Sequence, residues 1–172
     1  MKMFIVYVLS FAMALSMVAC GGYTAKEIAT AAHDDGTTGK NLQISNPWRE
    51  CDSLEEAGKL AGFSFTAPES VDGYTEKYIA AIENDIAQVI FSNEDGSKLY
   101  FRKGLDGDDI SGDYNTYDIT AEQTVDGKSV LCKGNDGLVY TATWTDGNYA
   151  YAVMSDTGMD AEQLNAWVQS LA

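Results

Sequence analysis

The chain has 172 residues, with 11 basic and 26 acidic side chains and a formal net charge of −15. This length suffices for one domain and some additional chain. The few basic residues form no stripe that could follow a phosphate backbone, so the composition argues against a nucleic-acid partner. The acidity also argues against electrostatic attachment to anionic lipid. We interpret it as a source of solubility rather than as a recognition device.

Residues 1–19 have the pattern of a secretory signal peptide. Lys2 supplies one positive charge, and an apolar run follows as far as Ala19. A single early charge before a short apolar segment is typical of export signals. The run is also shorter than the ~20 residues that a membrane-spanning helix needs. The pattern therefore predicts export.

The signal ends in a segment that resembles the bacterial lipobox, Met17-Val18-Ala19-Cys20-Gly21-Gly22, with Met in place of the usual Leu. We predict that Cys20 is lipidated and becomes the mature N-terminus, which anchors the chain to the extracytoplasmic face of the cell membrane. An uncleaved anchor, or a plain signal peptide cut near Ala19, is the alternative. Removal of Lys2 with the signal leaves 10 basic against 26 acidic side chains, a net charge of −16.

Residues 20–45 are predicted to be the lipidated cysteine and a flexible tether, since residues 21–45 show no sustained apolar period. About 25 residues of flexible coil would hold a domain about 25–30 Å from its anchor. His33, the single histidine, falls in this tether and is expected to be solvated. Residues 46–172 are predicted to form one α+β domain.

The domain is predicted to begin with a short amphipathic helix. Ser53 and Glu56 have the spacing of a capping box. Gly62 is a plausible end of the helix. The apolar stripe between them consists of Leu54, Ala57, Leu60 and Ala61.

Six Asp-Gly pairs punctuate the middle of the chain, at 72–73, 95–96, 106–107, 126–127, 136–137 and 146–147. Asp-Gly favours hairpin turns because both residues tolerate a positive φ. The segments between them predict a meandering antiparallel sheet of about seven strands, at 76–82, 86–92, 98–103, 116–125, 128–133, 138–145 and 148–154. The alternation in the last strands favours core positions for Tyr140 and Trp144.

A second amphipathic helix is predicted at the C-terminus. Asp160 is a good N-cap, and Gln163 stands at the third helical position. The stripe that would face the core consists of Leu164, Trp167, Val168 and Leu171.

Cys51 and Cys132 remain once Cys20 is assigned to lipid. A pair of cysteines in an exported domain permits a disulfide. The alternative is two separate thiols that behave as small core residues. Neither cysteine has a second Cys or His nearby, so the spacing is not that of a metal site.

The acidic segment 106–113 is a candidate calcium loop, because clustered carboxylates in a glycine-containing loop can bind Ca²⁺. Its weak candidate ligands are Asp106, Asp108, Asp109 and Asp113. The segment fails the EF-hand pattern at the fifth, sixth and twelfth positions, so we expect a solvated loop and no metal.

Several segments together resemble an uncharacterised family of bacterial exported domains, the domain of unknown function numbered 4367. They are Asn46-Pro47-Trp48, residues 53–57, Gly62-Phe63, residues 109–115 and residues 144–147. The resemblance implies a lipoprotein or membrane-tethered context and a sheet-plus-helix fold. It implies no established activity and no site residues.

The motifs of common enzymes are missing. Nucleophilic catalysis on Ser or Cys usually needs a His base, and His33 is in the tether. Phosphate-binding glycine motifs are absent from the sequence. We therefore expect a non-enzymatic binding or envelope accessory domain without a cofactor, whose partners are the membrane, through its anchor, and a protein or small ligand. A lipid or peptide carrier with a curved sheet, or an enzyme of unrecognised mechanism, is the alternative.

Overall fold

The computed structural model describes residues 46–105, 107 and 109–171, which belong to one compact unit. The predicted signal peptide, the lipidation site Cys20 and the tether with His33 lie outside the described residues. No helix in the described part of the chain is long and apolar enough to cross a membrane.

The described residues form eight strands and two helices. In chain order these are β1 Arg49–Glu50, α1 Leu54–Ala61, β2 Glu76–Ile82, β3 Ile86–Ser92, β4 Lys98–Leu105, β5 Ile119–Val125, β6 Lys128–Asn135, β7 Leu138–Asp146, β8 Tyr149–Met159 and α2 Ala161–Ser170. The predicted α+β class is confirmed. The strand count is eight rather than about seven, because β1 pairs only Arg49 and Glu50 with Ala81 and Ala80. Two residues are too few to show an alternating pattern.

All strands belong to one antiparallel sheet in the order β1-β2-β3-β4-β8-β7-β6-β5. It consists of two four-stranded meanders that join along the ladder between β4 and β8. That ladder pairs Leu99 with Ser155 at one end and Leu105 with Tyr149 at the other. The outermost strands are therefore β1 and β5.

Both helices cover the same face of the sheet, here called the core face. It carries Val89, Phe101 and Val153, which are neighbours in the register of β3, β4 and β8. These side chains form one buried cluster with residues of α1 and α2, such as Ala57 and Leu164. The opposite side is here called the outer face and is free of helices among the described residues.

Hydrogen bonds at the helix ends confirm the predicted caps. The Ser53 hydroxyl accepts a bond from the Glu56 N–H at 3.1 Å, and Gly62 ends α1 with a φ of +87°. The Glu56 carboxylate accepts from the Asp52 N–H at 2.8 Å instead of from that of Ser53, so half of the predicted capping box is formed. Asp160 and Gln163 form both bonds of a capping box at the start of α2. These bonds satisfy N–H groups that the first helical turn leaves without partners.

Cys51 and Cys132 are buried as separate free thiols, which is the second of the two arrangements considered from the sequence. Cys51 follows β1, the first strand of the sheet order, and Cys132 lies in β6, the seventh. Six strand spacings of about 4.8 Å separate these positions along the sheet. A disulfide requires Cα atoms within about 7 Å.

A β-bulge in β7 changes the expected position of Tyr140. In the ladder with β6, Lys133 pairs with Thr141 and the next residue, Gly134, pairs with Val139. The extra residue is Tyr140, whose ring contacts Tyr117 on the outer face. The prediction of a core position was therefore wrong for Tyr140, since a bulge interrupts the alternation of a strand.

The other two aromatic residues expected in the core do contact it. Trp144 is 4% exposed and stacks on Tyr151 with 5.3 Å between ring centroids. Trp167 is only partly buried and packs against the core, with its ring edge-on to Phe101 at 6.1 Å. The stripe of α2 therefore faces the core as predicted.

Candidate functional site

The connection between β4 and β5 folds onto the outer face. The Ile110 side chain lies over Gly104, 3.5 Å from the position that a Cβ on this glycine would take. The Arg102 guanidinium reaches from β4 and donates through Nη1 to the carbonyl oxygens of Ile110, at 3.1 Å, and Ser111. Gly112 follows with a φ of +63°, and a Cβ there would lie 3.1 Å from Arg102 Nη1. Glycine thus allows the loop to approach the arginine closely.

Within residues 109–115, three alternate side chains each accept a hydrogen bond from the backbone N–H two residues farther along the chain. Asp109 Oδ1 accepts from the Ser111 N–H at 2.9 Å, and Ser111 Oγ accepts from the Asp113 N–H at 3.1 Å. Asp113 Oδ1 accepts in turn from the Asn115 N–H at 2.9 Å. Such side-chain bonds to the backbone two residues on stabilise tight turns. They explain the alternating polar pattern of residues 109–115.

Two aspartates then fasten the loop to the sheet. Lys133 of β6 donates to Asp109 Oδ2 at 2.8 Å. Asp113 Oδ2 accepts from the Tyr117 hydroxyl at 2.6 Å and from the hydroxyl of Thr141 in β7. Burial alone would raise the pKa of both carboxyl groups, but these hydrogen bonds outweigh it and lower their pKa values.

The loop and the outer face enclose an open cleft of about 220 Å³, here called the tyrosine cleft. It is lined by three tyrosines, Tyr100, Tyr117 and Tyr140, together with Met154. Tyr117 and Tyr140 lie side by side, with ring centroids 5.9 Å apart and planes at 30°. Tyrosine rings of this kind offer a large contact area and a polar tip for a ligand.

A guanidinium forms part of the cleft lining. Arg102 Nε donates to Gln88 Oε1 at 2.9 Å, and the guanidinium carbon lies 5.7 Å from the ring centroids of both Trp48 and Tyr100. Burial lowers the pKa of Arg102. The acceptors of Arg102 among the described residues are neutral oxygens, and none of them bonds to Nη2. The positive charge of Arg102 is therefore held without a carboxylate partner in the described part of the chain.

Asp156 of β8 supplies a negative charge to the same cleft. Its Oδ2 accepts from the Lys98 N–H at 2.9 Å. Burial raises the pKa of Tyr100, and the negative charge of Asp156 adds to that effect, while Arg102 opposes it. The charges of Asp156 and Arg102 thus act on the Tyr100 hydroxyl in opposite directions. This hydroxyl and that of Tyr140 have no hydrogen bond to other described residues.

Within the described residues, the candidate calcium ligands Asp109 and Asp113 are bound to different partners. Asp106 and Asp108 lie outside the described residues, so their side chains are not discussed. Asp109 is bound to Lys133, and Asp113 is bound to Tyr117 and Thr141. Residues 46–105, 107 and 109–171 contain no group of three or more His, Cys, Asp or Glu arranged to hold a metal ion.

The cleft presents several groups that can contact a ligand. It offers tyrosine hydroxyls, a guanidinium, a carboxylate and an aromatic surface, which can hold a ligand through hydrogen bonds and contact area. Sequence reasoning singled out residues 109–115 but not Arg102 or Tyr140. In β4, the apolar residues Leu99 and Phe101 alternate with Tyr100 and Arg102. This alternation was the available signal that Arg102 points to the outer face.

Comparison of the chain with models of protein families, with curated proteins and with solved structures gives no match.

Proposed function

We propose that the mature chain is a lipid-anchored, extracytoplasmic, non-enzymatic domain that binds a small ligand in the tyrosine cleft. The observation that carries this proposal is the cleft itself. The hydroxyls of Tyr100 and Tyr140 and the Nη2 group of Arg102 are unbonded within the described residues, although they lie beside a structured loop. Polar groups that are positioned but unpaired are suited to fix the orientation of a ligand.

The proposed location depends on the N-terminal sequence. The lipobox-like segment that ends at Cys20 supports a lipid anchor. We also propose membership of the exported family numbered 4367, on the five segments that resemble it. One of them, residues 109–115, contributes Ser111 and Asp113 to the cleft lining.

The size of the cleft favours a ligand with the dimensions of one sugar ring or a very short peptide. Its volume of about 220 Å³ is below the ~300–1,000 Å³ of sites for drug-sized molecules. A lipid carrier would need an uncovered apolar groove on the outer face. Of the buried apolar residues of β8 on that face, Ala150 and Ala152 are small, and Met154 is the single large one. The carrier alternative therefore has less support.

A ligand screen by NMR tests the proposal. All residues of the buried cluster lie between Cys51 and Leu171. A chain that begins at residue 21 therefore keeps every described contact. We would titrate it with separate mixtures of monosaccharides, amines, amino acids and short peptides. We expect one class to shift the signals of Tyr100 and Tyr140 and to be recovered chemically unchanged.

Two variants locate the binding. Tyr140→Leu should abolish it, whereas Tyr78→Leu should not, because Tyr78 is an outer-face tyrosine that is 39% exposed and does not line the cleft. Failure of every compound class to perturb the cleft signals would overturn the proposed function. Conversion of a bound compound would instead establish the enzyme alternative.

A further inference from the structure

We infer that the ligand of the tyrosine cleft is a zwitterion of dipeptide length, with a free ammonium group at one end and a free carboxylate at the other. This inference rests on the proposed function, because it names the chemical class that the same cleft would bind. It is carried by the placement of Arg102 and Asp156 on either side of Tyr100.

Arg102 is suited to receive the carboxylate. Its Nε and Nη1 groups are engaged by Gln88 and by the carbonyl oxygens of Ile110 and Ser111. These bonds hold the guanidinium plane, and Nη2 has no acceptor among the described residues. A partly buried positive charge with neutral partners is stabilised by an anionic ligand.

Asp156 is suited to receive the ammonium group. Oδ2 is engaged by the Lys98 N–H, while Oδ1 has no donor among the described residues. The side chain belongs to an exposed residue at the edge of the cleft. A ligand ammonium can therefore reach it without the burial of an additional charge.

The third charged residue of the lining, Asp113, has both carboxylate oxygens engaged by Asn115, Tyr117 and Thr141. The charges available to a ligand are therefore those of Arg102 and Asp156, and together they disfavour ligands with a single charge. A pure anion would meet Asp156 in the cleft and a net charge of −15 on the whole chain. A pure cation would meet the charge of Arg102. A zwitterion pairs with both groups and leaves the net charge of the complex unchanged.

The strand register sets the length of the ligand. Leu99 pairs with Ser155, and the Lys98 N–H bonds to Asp156, so Asp156 lies beside Lys98. Arg102 is four residues farther along β4, which corresponds to about 13 Å at the usual rise of ~3.3 Å per residue. The two charges of an α-amino acid are one carbon apart and are too close to reach both side chains. An extended dipeptide spans about 7 Å, and a charge-assisted hydrogen bond of about 2.8 Å at each end extends its reach to about 13 Å.

Calorimetric titration of the chain that begins at residue 21 tests the inference with four matched probes. They are L-alanyl-L-alanine, its N-acetyl form, its C-terminal amide and free L-alanine. The small methyl side chains suit the cleft volume. We expect the free dipeptide to bind at least about tenfold more tightly than each of the other three, which is a difference of about 1.4 kcal/mol.

Two variants distinguish charge pairing from general electrostatics. Asp156→Asn keeps an acceptor for Lys98, so it should weaken the free dipeptide about tenfold and leave the N-acetyl form unchanged. Asp136→Asn removes the same charge from the remote β6–β7 turn and should change neither. The inference is overturned if the free dipeptide does not bind or if either blocked form binds equally well. Binding of a sugar or an amine alone in the NMR screen would overturn it while leaving the proposed function intact.

Discussion

Asp113→Ala should detach the loop from the outer face and lower the free energy of unfolding by about 2–4 kcal/mol. The Asp113 carboxylate accepts two hydrogen bonds that join the loop to its surroundings, from Tyr117 and from Thr141. A hydrogen bond to a charged group contributes about 1.5–3 kcal/mol. The hydroxyl oxygens of Tyr117 and Thr141 are 3.5 Å apart and can bond to each other after the substitution. This replacement bond reduces the total loss of stability. Thr141 is 1% exposed, so water cannot readily replace the lost acceptor.

Urea unfolding of the chain that begins at residue 21 measures this loss. Asp118→Ala is the matched control, because Asp118 is exposed and only its backbone N–H has a recorded bond, to Asn135. A surface substitution of that kind changes stability by less than about 0.5 kcal/mol. If both variants lose the same small amount, the carboxylate does not anchor the loop and the reasoning is refuted.

The same carboxylate predicts a pH dependence. Burial opposes ionisation of Asp113, but the bonds from Thr141, Tyr117 and Asn115 lower its pKa below the ordinary value of 3.8. A carboxyl group whose pKa is lower in the folded than in the unfolded chain adds stability above the unfolded pKa and loses it as the pH falls through the folded pKa. The stability difference between the wild type and Asp113→Asn should therefore narrow below pH 3.8. A constant difference across that range would contradict the assignment.

Three further substitutions test other features. Gly134→Ala should lose about 1–3 kcal/mol in urea unfolding, because its Cβ would overlap the Leu138 carbonyl oxygen; Gly107→Ala, in open space, should change stability by less than about 0.5 kcal/mol. Trp167→Ala should lose about 3 kcal/mol, the lower end for a large aromatic, since the ring is only partly buried; a loss below about 1 kcal/mol would mean that this face of α2 does not pack. Cys20→Ala should abolish incorporation of labelled palmitate in intact cells, and equal incorporation by both chains would disprove the lipidation site.

Local features of the fold could be predicted from the sequence. The strands predicted at 76–82 and 86–92 have those bounds in the structure. The two Asp-Gly turns at 126–127 and 136–137 have positive φ at both residues, as the hairpin rule requires. Each of these features depends on residues that are close in the chain, so a short window contains the information.

Features that depend on distant residues could not be predicted. The pairing of β4 with β8 joins two meanders, and no short pattern specifies it. The strand predicted from residue 116 begins at Ile119, because the Asp118 N–H bonds to the side chain of Asn135, 17 residues farther along the chain. The bulge that moves Tyr140 to the outer face likewise arises from the register with β6.

The β4–β8 ladder, which joins the two meanders, affects the order in which the chain folds. The β2–β3 hairpin pairs Ile82 with Ile86, whereas the nearest pair of the β4–β8 ladder joins Leu105 to Tyr149. Loop-closure entropy grows as (3/2)RT ln n, so closing the longer segment directly costs about 2 kcal/mol more. The hairpins of each half are therefore expected to form before the halves meet. Because the tyrosine cleft takes Tyr100 from the first half and residues 140, 141 and 154 from the second, a partly folded chain has no binding site, and binding competence arises only with the final docking of the two halves.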